Sequence, residues 1–394
     1  MKNEKYYQQF LNNNSYPRSL KSLEVIQGFS SIYLSDNGKK IINFSSSDYL
    51  GLANHPHLIA RSHEYAKHYG MGSSASRLVS GNFDCYMQLE AELAKALNKP
   101  AALIFGTGYQ TNQAVLEALL NPQVLGQEPL IFCDKLCHAS MLAGMASFLH
   151  LQRFAHNDLT HLRILLNKHK QSERPKFILA ESLYSMEGDQ ADLENLSKIA
   201  EEYEAFLYVD DAHAVGVYGT HGWGTAGEYA EKISIIMGTF SKALGSFGGF
   251  IGCSETIKNY LINKCRGFIY STGLSPAVLG AIKAAIELLP QLDTARIRLW
   301  DRAAQVRAFF RQEGLNCGES TTHIIPWIIG DAQKTLYASQ LLEQKGILGM
   351  GIRPPSVPAG KSRIRFCLTA AHSDEDIQQL IQAVKQVKAK LVNE

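Results

Sequence analysis

Short apolar runs alternate with longer amphipathic segments through the middle of this chain of 394 residues. The apolar runs are rich in β-branched and aromatic residues, which favour strands. They predict six buried strands, at residues 101–105, 129–134, 176–182, 206–211, 234–240 and 249–253. Strands that alternate with helices in this way are typical of an α/β fold with a mostly parallel central sheet.

Two of the intervening segments have the periodicity of amphipathic helices. Residues 86–98 are predicted to form a helix with one apolar face, formed by Leu89, Leu93 and Leu97. Residues 192–205 begin with Asp192, which is able to cap a helix N-terminus. The inward face of this second helix is predicted to consist of Leu193, Leu196, Ile199 and Ala200.

The pattern changes towards both ends of the chain, and this change predicts three parts. Near the N-terminus, residues 31–44 have a hairpin pattern around an Asp-Asn-Gly turn. After about residue 285, a helical stretch leads to two apolar strands and a closing helix. The predicted parts are an N-terminal arm, a large α/β domain and a small C-terminal α+β domain, at residues 1–45, 46–285 and 286–394.

The composition narrows the classes of function that fit. A formal net charge of +2 gives no electrostatic basis for binding nucleic acid. No apolar run approaches the roughly 20 residues that cross a bilayer. The N-terminal segment is polar and lacks the apolar core of a signal peptide. We therefore expect a cytoplasmic protein without membrane or nucleic-acid partners.

The seven cysteines contain no Cys-x-x-Cys pair. Cys133 and Cys137 lie near His138, but no second pair of ligands follows, so a zinc site is not expected. Thiols in the cytosol stay reduced. We expect buried free cysteines and no metal.

Reactive residues cluster directly after the predicted strands, where ligands bind in open α/β sheets. Each has an ordinary explanation when taken alone. An aspartate can form a turn, a histidine can pack in a core, and a glycine turn can precede a helix without binding phosphate. Their joint occurrence favours a shared site. The residues concerned are Thr107, Gly108, Tyr109, Asp134, His138, Glu181, Ser185, Asp210, Asp211, His213, Thr239, Ser241 and Lys242.

Lys242 suggests the chemistry, because a lysine held among the small residues of 241–249 can form a Schiff base with an aldehyde. Pyridoxal 5'-phosphate (PLP) supplies such an aldehyde and withdraws electrons from a carbanion. Asp210 could keep its pyridine nitrogen protonated, His138 could cover the ring, and His213 could donate to the phenolic oxygen. The donors available for its phosphate are the turn 107–109, Thr239 and Ser241.

The content and the order of eight segments resemble the α-oxoamine synthases, which are PLP-dependent transferases of fold type I. The match extends from about residue 25 to the C-terminus. It implies a large domain with a mostly parallel central sheet and a smaller C-terminal domain. The segments are SSSDYLGL, GSSASRLVSGN, CHASMLAGM, FAHND, ESLYSMEGD, VDDAHAVGVYG, GTFSKALGSFGG and YSTGLSP.

The resemblance implies a role at the cofactor for each matching residue. Lys242 would form the Schiff base, and Asp210 would contact the pyridine nitrogen. His213 would contact the phenolic oxygen, while His138 would stack on the ring and polarise a thioester or keto oxygen. In a homodimer with shared active sites, Thr272 would reach the phosphate in the neighbouring subunit. The other cofactor contacts implied are Gly108, Tyr109, Ser185, Thr239 and Ser241.

The resemblance also implies residues that bind the substrates. Arg353 would bind the carboxylate of the amino acid, since guanidinium geometry suits a bidentate contact. Ser356, where the family often has threonine, would lie near the acyl substrate, and Arg18 in the arm would be a further substrate arginine. Ser47 stands where the family usually has asparagine, and serine lacks the amide.

The reaction implied is a decarboxylative condensation of an amino acid with an acyl thioester. Residues 351–373 are most similar to family members that use L-alanine and a pimeloyl thioester, carried by CoA or by acyl carrier protein. Three alternatives remain open at this point. They are a sister enzyme that uses glycine and another acyl-CoA, an aminotransferase of the same fold type, and a non-catalytic subunit.

Overall fold

The computed structural model describes residues 3–12, 27–28, 32–34, 40–148 and 150–392. In chain order, strands β1 to β14 are Gln27–Gly28, Ile32–Leu34, Lys40–Asn43, Ala101–Phe105, Leu130–Asp134, Leu151–Phe154, Lys176–Glu181, Ala205–Asp210, Ile235–Thr239, Gly249–Cys253, Ile324–Gly330, Ile347–Leu348, Met350–Ile352 and Ser362–Cys367. Helices α1 to α14 are Glu4–Asn12, Pro56–Tyr69, Asp84–Ala96, Gly108–Leu119, Pro122–Leu125, Ala139–Gly144, Leu159–Asn167, Leu193–Glu202, Glu255–Lys264, Arg266–Ile269, Pro276–Leu288, Asp293–Gln312, Ala332–Gln344 and Asp374–Val392. Short 3-10 helices are found at Thr220–Gly222, Ala226–Tyr229 and Leu289–Gln291.

A central sheet in the order β4-β10-β9-β8-β7-β5-β6 forms the core of the large domain. Its pairs are parallel from β9 to β6, and β10 is antiparallel to both of its neighbours. The six predicted strands are confirmed, with ends that differ by at most one residue. Four of them, β4, β5, β9 and β10, are buried along their whole length, as expected for a sheet with both faces covered.

Strand β6 was not predicted from the sequence. Its residues, Leu151–Phe154, form the edge of the sheet, and only Phe154 is buried. An edge strand with mixed exposure lacks the continuous apolar run by which the other strands were recognised.

Both predicted helices are present, as α3 and α8. Helix α8 begins directly after Asp192, whose carboxylate accepts a hydrogen bond from the backbone N–H of Asn195 over 3.0 Å. This contact satisfies one of the free amides in the first turn. The predicted inward-facing residues of the two helices are all buried: Leu89, Leu93, Leu97, Leu193, Leu196, Ile199 and Ala200.

The N-terminal hairpin pairs with the C-terminal part of the chain. Strands β2 and β3 are antiparallel, as the hairpin pattern predicts, and β3 runs parallel to β12. This long-range pairing cannot be predicted from the sequence, because β12 has only two residues. A second C-terminal sheet has the order β11-β14-β13 and is antiparallel throughout.

In addition to that of the edge strand β6, the topology brings the carboxyl ends of five strands to one edge of the central sheet. Strands β5, β7, β8 and β9 are parallel, so their carboxyl ends lie together. Strand β4 runs in the same direction, because it is separated from β9 by one antiparallel strand. The segments that follow all five strands therefore meet at this edge, which is where open α/β sheets bind ligands.

All seven cysteines are free and buried. Across the described ranges, no group of three or more His, Cys, Asp or Glu side chains is arranged to hold a metal ion. No helix among the described residues has the length and apolar character needed to span a membrane.

Candidate active site

A cavity of about 380 Å³ opens at the edge where the five strands end. Ten of the predicted site residues line it: Ser47, Gly108, Tyr109, His138, Ser185, Asp210, His213, Thr239, Ser241 and Lys242. Thr107 and Glu181, which the sequence also places in the shared site, are part of the walls. The walls further include residues that the sequence does not assign to the site, among them Asn112, Ser140, Met186 and Arg365.

Asp210 ends β8 and is buried with both carboxylate oxygens hydrogen-bonded. Its Oδ2 accepts from Asn112 Nδ2 over 2.6 Å, and its Oδ1 accepts from the backbone N–H of Ala212 over 3.0 Å. The side-chain oxygen of Asn112 accepts in turn from the hydroxyl of Tyr208 over 2.7 Å. These contacts fix the orientation of the carboxylate.

Lys242 follows β9 and shares the cavity with two carboxyl groups. Desolvation in the cavity lowers the pKa of Lys242, although the nearby Asp210 and Glu181 oppose this shift. A lysine with a lowered pKa provides a neutral amine more readily, which is the form that acts as nucleophile or base. Burial, together with the charge of Asp210, raises the pKa of Glu181 well above its usual value.

His138 lies at the N-terminus of α6 and is exposed to the cavity. Its backbone N–H donates to Glu181 Oε1 over 2.6 Å, and its ring Nδ1 lies 2.7 Å from Ser140 Oγ. The ring of Tyr109 stands edge-on to the imidazole, with 6.3 Å between the ring centroids. The histidine is therefore held from its backbone and from one ring nitrogen, while the rest of the ring faces the cavity.

His213 is a buried residue of the cavity wall, and its Nδ1 lies 2.7 Å from the hydroxyl of Tyr49. Burial, together with the positive charge of Lys242, lowers the pKa of His213 well below its usual value. His213 is therefore a neutral ring at physiological pH. The backbone N–H of Tyr49 donates to the carbonyl oxygen of Ser47 over 2.9 Å, so the serine supports the same pair through its backbone.

A group of hydrogen-bond donors surrounds the N-terminus of α4. Thr107 caps this helix by accepting from the N–H of Gln110 over 3.0 Å. The first-turn amides of Gly108 and Tyr109 have no acceptor within the helix, and such amides bind phosphate. A Cβ at Gly108 would lie 3.3 Å from Thr239 Oγ1, so glycine is what allows the helix to approach β9. With Lys242 and Asp210 in the same cavity, these donors fit PLP.

The loop 182–190 carries Ser185 and is held at its base by an ion-pair cluster. His156 Nδ1 lies 3.1 Å from Asp134 Oδ1, and His156 Nε2 lies 2.9 Å from Asp189 Oδ2. Burial alone would lower the pKa of His156, but the hydrogen bonds to the two aspartates raise it to about 10. The imidazolium of His156 thus joins the end of β5 to the loop 182–190. His156 belongs to the segment FAHND, residues 154–158.

Two arginines of β14 hold the other side of the same loop. Arg363 Nη1 donates to the carbonyl oxygen of Met186 and to Glu187 Oε1, both over 2.8 Å. Arg365 Nη1 donates to the carbonyl oxygen of Ser185 over 3.3 Å. Of these two arginines, Arg365 lines the cavity and Arg363 does not. Arg365 therefore brings a guanidinium to the cavity wall.

Four residues to which the resemblance assigns a role do not line this cavity, and neither do Asp134 and Asp211. Thr272 lies in a separate small cleft with Arg77 and Gln110. Arg353 and Ser356 follow β13 and are absent from the cavity walls. Arg18 lies outside the described residues. The roles of these four residues stay predictions.

Comparison with known proteins adds the family. Residues 39–384 match the family Aminotransferase class I and II. The chain belongs to this family. It is 48% identical over 348 residues to a putative 8-amino-7-oxononanoate synthase of Paramagnetospirillum magneticum, covering 88% of each chain. It is 45% identical over 352 residues to 8-amino-7-oxononanoate synthase of Gluconacetobacter diazotrophicus, covering 89% of this chain and 88% of the relative.

Solved structures of the family have the same fold. Serine palmitoyltransferase from S. paucimobilis with a bound PLP–myriocin aldimine superposes with a TM-score of 0.89, at 25% identity and 99% coverage of both chains. An 8-amino-7-oxononanoate synthase from Francisella tularensis superposes with a TM-score of 0.74, at 27% identity, covering 89% of this chain and 98% of the other. The chain is thus a PLP-dependent acyltransferase of fold type I, related to the 8-amino-7-oxononanoate synthases.

Asn112 and Arg365 are two of the site residues that sequence reasoning missed. Asn112 lies four residues after Gly108, so one helical turn brings it to the same side of α4. Arg365 alternates with Arg363 along β14. Helical spacing could have indicated the side of α4 on which Asn112 lies, and strand alternation could have indicated the face of β14 on which Arg365 lies. The partners of both residues come from distant parts of the chain, so the spacing alone does not indicate their roles.

Proposed function

We propose that the chain condenses L-alanine with a pimeloyl thioester of CoA or of acyl carrier protein. The products are 8-amino-7-oxononanoate, CO₂ and the free thiol, in biotin biosynthesis. One observation carries the proposal: Lys242, Asp210 and His138 line one cavity together with an arginine, Arg365. The relatives that are 45–48% identical and named 8-amino-7-oxononanoate synthase support the choice of substrates.

The cavity residues divide the binding of PLP among them. Asp210, oriented by Asn112, would accept a hydrogen bond from the pyridine nitrogen, and His213 would donate to the phenolic oxygen. The amides of Gly108 and Tyr109 and nearby hydroxyls would bind the phosphate. When bound, PLP supplies a covalent attachment for the amino group and withdraws the negative charge that develops at the substrate Cα.

Lys242 is proposed to hold the cofactor covalently before the reaction and to move the substrate proton during it. Once alanine replaces the lysine, the free Nζ takes the proton from Cα and later returns one to the product. The lowered pKa of Lys242 favours the neutral amine that this step needs. Asp210, which shares its cavity, stabilises the ammonium that forms.

Arg365 is proposed as the residue that binds the carboxylate of the amino acid. Its guanidinium lines the cavity, and its Nη1 donates one hydrogen bond to the carbonyl oxygen of Ser185. The other N–H groups of the guanidinium can donate to a carboxylate. This differs from the expectation for Arg353, which lies on the segment after β13. A guanidinium on the wall beside Lys242 is better supported by the geometry.

We also propose that the protein works as a homodimer with shared active sites. Thr272 lies outside the cavity of its own chain, as expected for a residue that serves the neighbouring subunit. Five large apolar side chains are exposed on the single chain, and a second copy would cover them: Met71, Leu78, Val79, Phe247 and Tyr270.

One alternative has support of its own. The serine palmitoyltransferase structure superposes with a higher TM-score than the 8-amino-7-oxononanoate synthase structure, at 0.89 against 0.74. We favour alanine and the pimeloyl group because the sequence relatives are far more similar, at up to 48% identity.

A steady-state assay separates these functions. Purified protein with PLP is offered alanine, glycine or serine, each with pimeloyl-CoA, acetyl-CoA or palmitoyl-CoA. We expect kcat/KM to be highest for alanine with pimeloyl-CoA. Preference for glycine or serine, or for another thioester, would contradict the proposal.

A further inference from the structure

Two donors of one residue converge on a single nitrogen of His138. The backbone N–H of Ser140 donates to His138 Nδ1 over 3.3 Å, as an N-cap contact of α6. The hydroxyl oxygen of Ser140 lies 2.7 Å from the same nitrogen. An N–H can only donate, so the first contact requires Nδ1 to be an acceptor.

The direction of the second contact follows from a buried chain of hydrogen bonds. Asn112 Nδ2 lies 2.6 Å from Asp210 Oδ2 and 2.9 Å from Ser140 Oγ. The opposite orientation of the amide would bring its oxygen against the carboxylate and its NH₂ against the hydroxyl of Tyr208. Asn112 therefore donates to Ser140, and the hydroxyl proton of Ser140 is left for His138.

We propose that Asn112 and Ser140 fix neutral His138 as the tautomer that is protonated on Nε2. Both residues are positioning residues, because they act on the reaction through His138. The ring then presents an N–H donor to the cavity. A donor at this place selects a ligand group that accepts a hydrogen bond, such as the carbonyl oxygen of the acyl thioester. This last step rests on the proposed function.

The surroundings of His138 agree with a neutral ring. Loss of bulk water in the cavity lowers the pKa of His138, and the positive charge of Lys242 lowers it further, whereas Asp210 acts in the opposite direction. The tautomer has a catalytic consequence, since a neutral ring with its proton on Nδ1 would offer the acyl oxygen only a lone pair.

The tautomer can be observed directly by NMR. Protein labelled with [¹⁵N]histidine and loaded with PLP is examined in long-range ¹H–¹⁵N spectra, and His138→Gln identifies the signals of His138. We expect Nδ1 at the position of an unprotonated ring nitrogen and Nε2 at that of a protonated one. In Ser140→Ala only the weaker backbone donor remains, so the two ¹⁵N shifts should move towards each other.

The control is Ser147→Ala, which changes an exposed serine close in sequence and should leave the His138 signals unchanged. If Ser140→Ala brings the tautomers to equal populations, kcat falls by about twofold, because half of the molecules hold the wrong form. Protonation of Nδ1 in the unaltered protein would overturn the proposal. Ser140→Ala spectra in which both His138 ¹⁵N shifts keep the values of the unaltered protein would also overturn it. If the unaltered protein has Nε2 protonated but does not catalyse the proposed reaction, the proposed function is refuted and the tautomer assignment stands.

Discussion

The side-chain amide of Asn112 donates a hydrogen bond of 2.6 Å to the carboxylate of Asp210, and both residues are buried. The same amide contacts Ser140 and, through its oxygen, Tyr208. One side chain of α4 thus connects the end of β8 with the segment that carries His138. The acid proposed to bind the pyridine nitrogen and the histidine proposed to face the acyl oxygen are held by a common residue.

Replacement of Asn112 by alanine should lower both stability and cofactor affinity. Asp210 Oδ2 and the hydroxyl of Tyr208 would lose their partners in a buried site, at a cost of about 1–3 kcal/mol each. Urea unfolding measures the loss of stability, and titration of the apoprotein with PLP measures the affinity.

The matched control for this change is Asn195→Ala. Asn195 Nδ2 also lies 2.6 Å from a carboxylate, that of Asp192, but both side chains are exposed. We expect its effect on unfolding to stay below about 0.5 kcal/mol. If Asn112→Ala and Asn195→Ala lower the free energy of unfolding equally, the buried network around Asn112 does not stabilise the fold more than an exposed contact does.

Lys242→Ala should reduce kcat by at least about 10³-fold, because the group that takes the Cα proton is removed. Some PLP binding should remain, since the phosphate donors and Asp210 are unchanged. Borohydride reduction of the holoenzyme, followed by peptide mass spectrometry, should place the cofactor on Lys242. Lys232→Ala, which changes an exposed lysine, serves as the control and should keep full activity. Near-normal turnover in Lys242→Ala would refute the assignment.

Arg365 and Arg353 can be compared as carboxylate ligands by parallel substitution with lysine. A lysine keeps the charge but cannot reproduce the two parallel N–H groups of a guanidinium. We expect Arg365→Lys to raise the KM for alanine by about tenfold, the equivalent of about 1.4 kcal/mol. The KM for the thioester should change little. If only Arg353→Lys raises the KM for alanine, Arg353 binds the carboxylate of the amino acid, as the sequence predicts, and the proposal for Arg365 is wrong.

His156 predicts a pH dependence of stability. Its pKa in the folded state is raised to about 10, whereas an unperturbed histidine titrates near 6.5. The folded protein therefore binds the proton more tightly. The stabilisation is fully present below about pH 6.5 and is lost as the pH rises towards 10.

Thermal unfolding between pH 6 and pH 10 measures this contribution. His156→Gln should be less stable than the unaltered protein at pH 6, by about 3 kcal/mol, because it leaves the buried Asp134 without its charged partner. The difference should shrink as the pH approaches 10. The exposed His63 provides the control variant His63→Gln. A difference that stays constant over the whole range would argue against a charged His156.

The sequence alone predicts the central sheet well because its strands are buried on both faces and appear as continuous apolar runs. It also places Lys242, Asp210 and His213 correctly at strand ends. It does not predict Asn112 or Arg365 as site residues, because their roles depend on partners that are far away in the chain. The pairing of β3 with β12 was missed for the same reason.

The central claim is the condensation itself, and isotopic labelling of alanine tests it most directly. Protein, PLP and pimeloyl-CoA are mixed with L-alanine labelled with ¹³C either at the carboxyl carbon or at the methyl carbon, and the products are analysed by mass spectrometry. The proposed reaction predicts 8-amino-7-oxononanoate that retains the methyl label, with the carboxyl label released as CO₂. Pyruvate as the product, or a product that retains the carboxyl label, would contradict it.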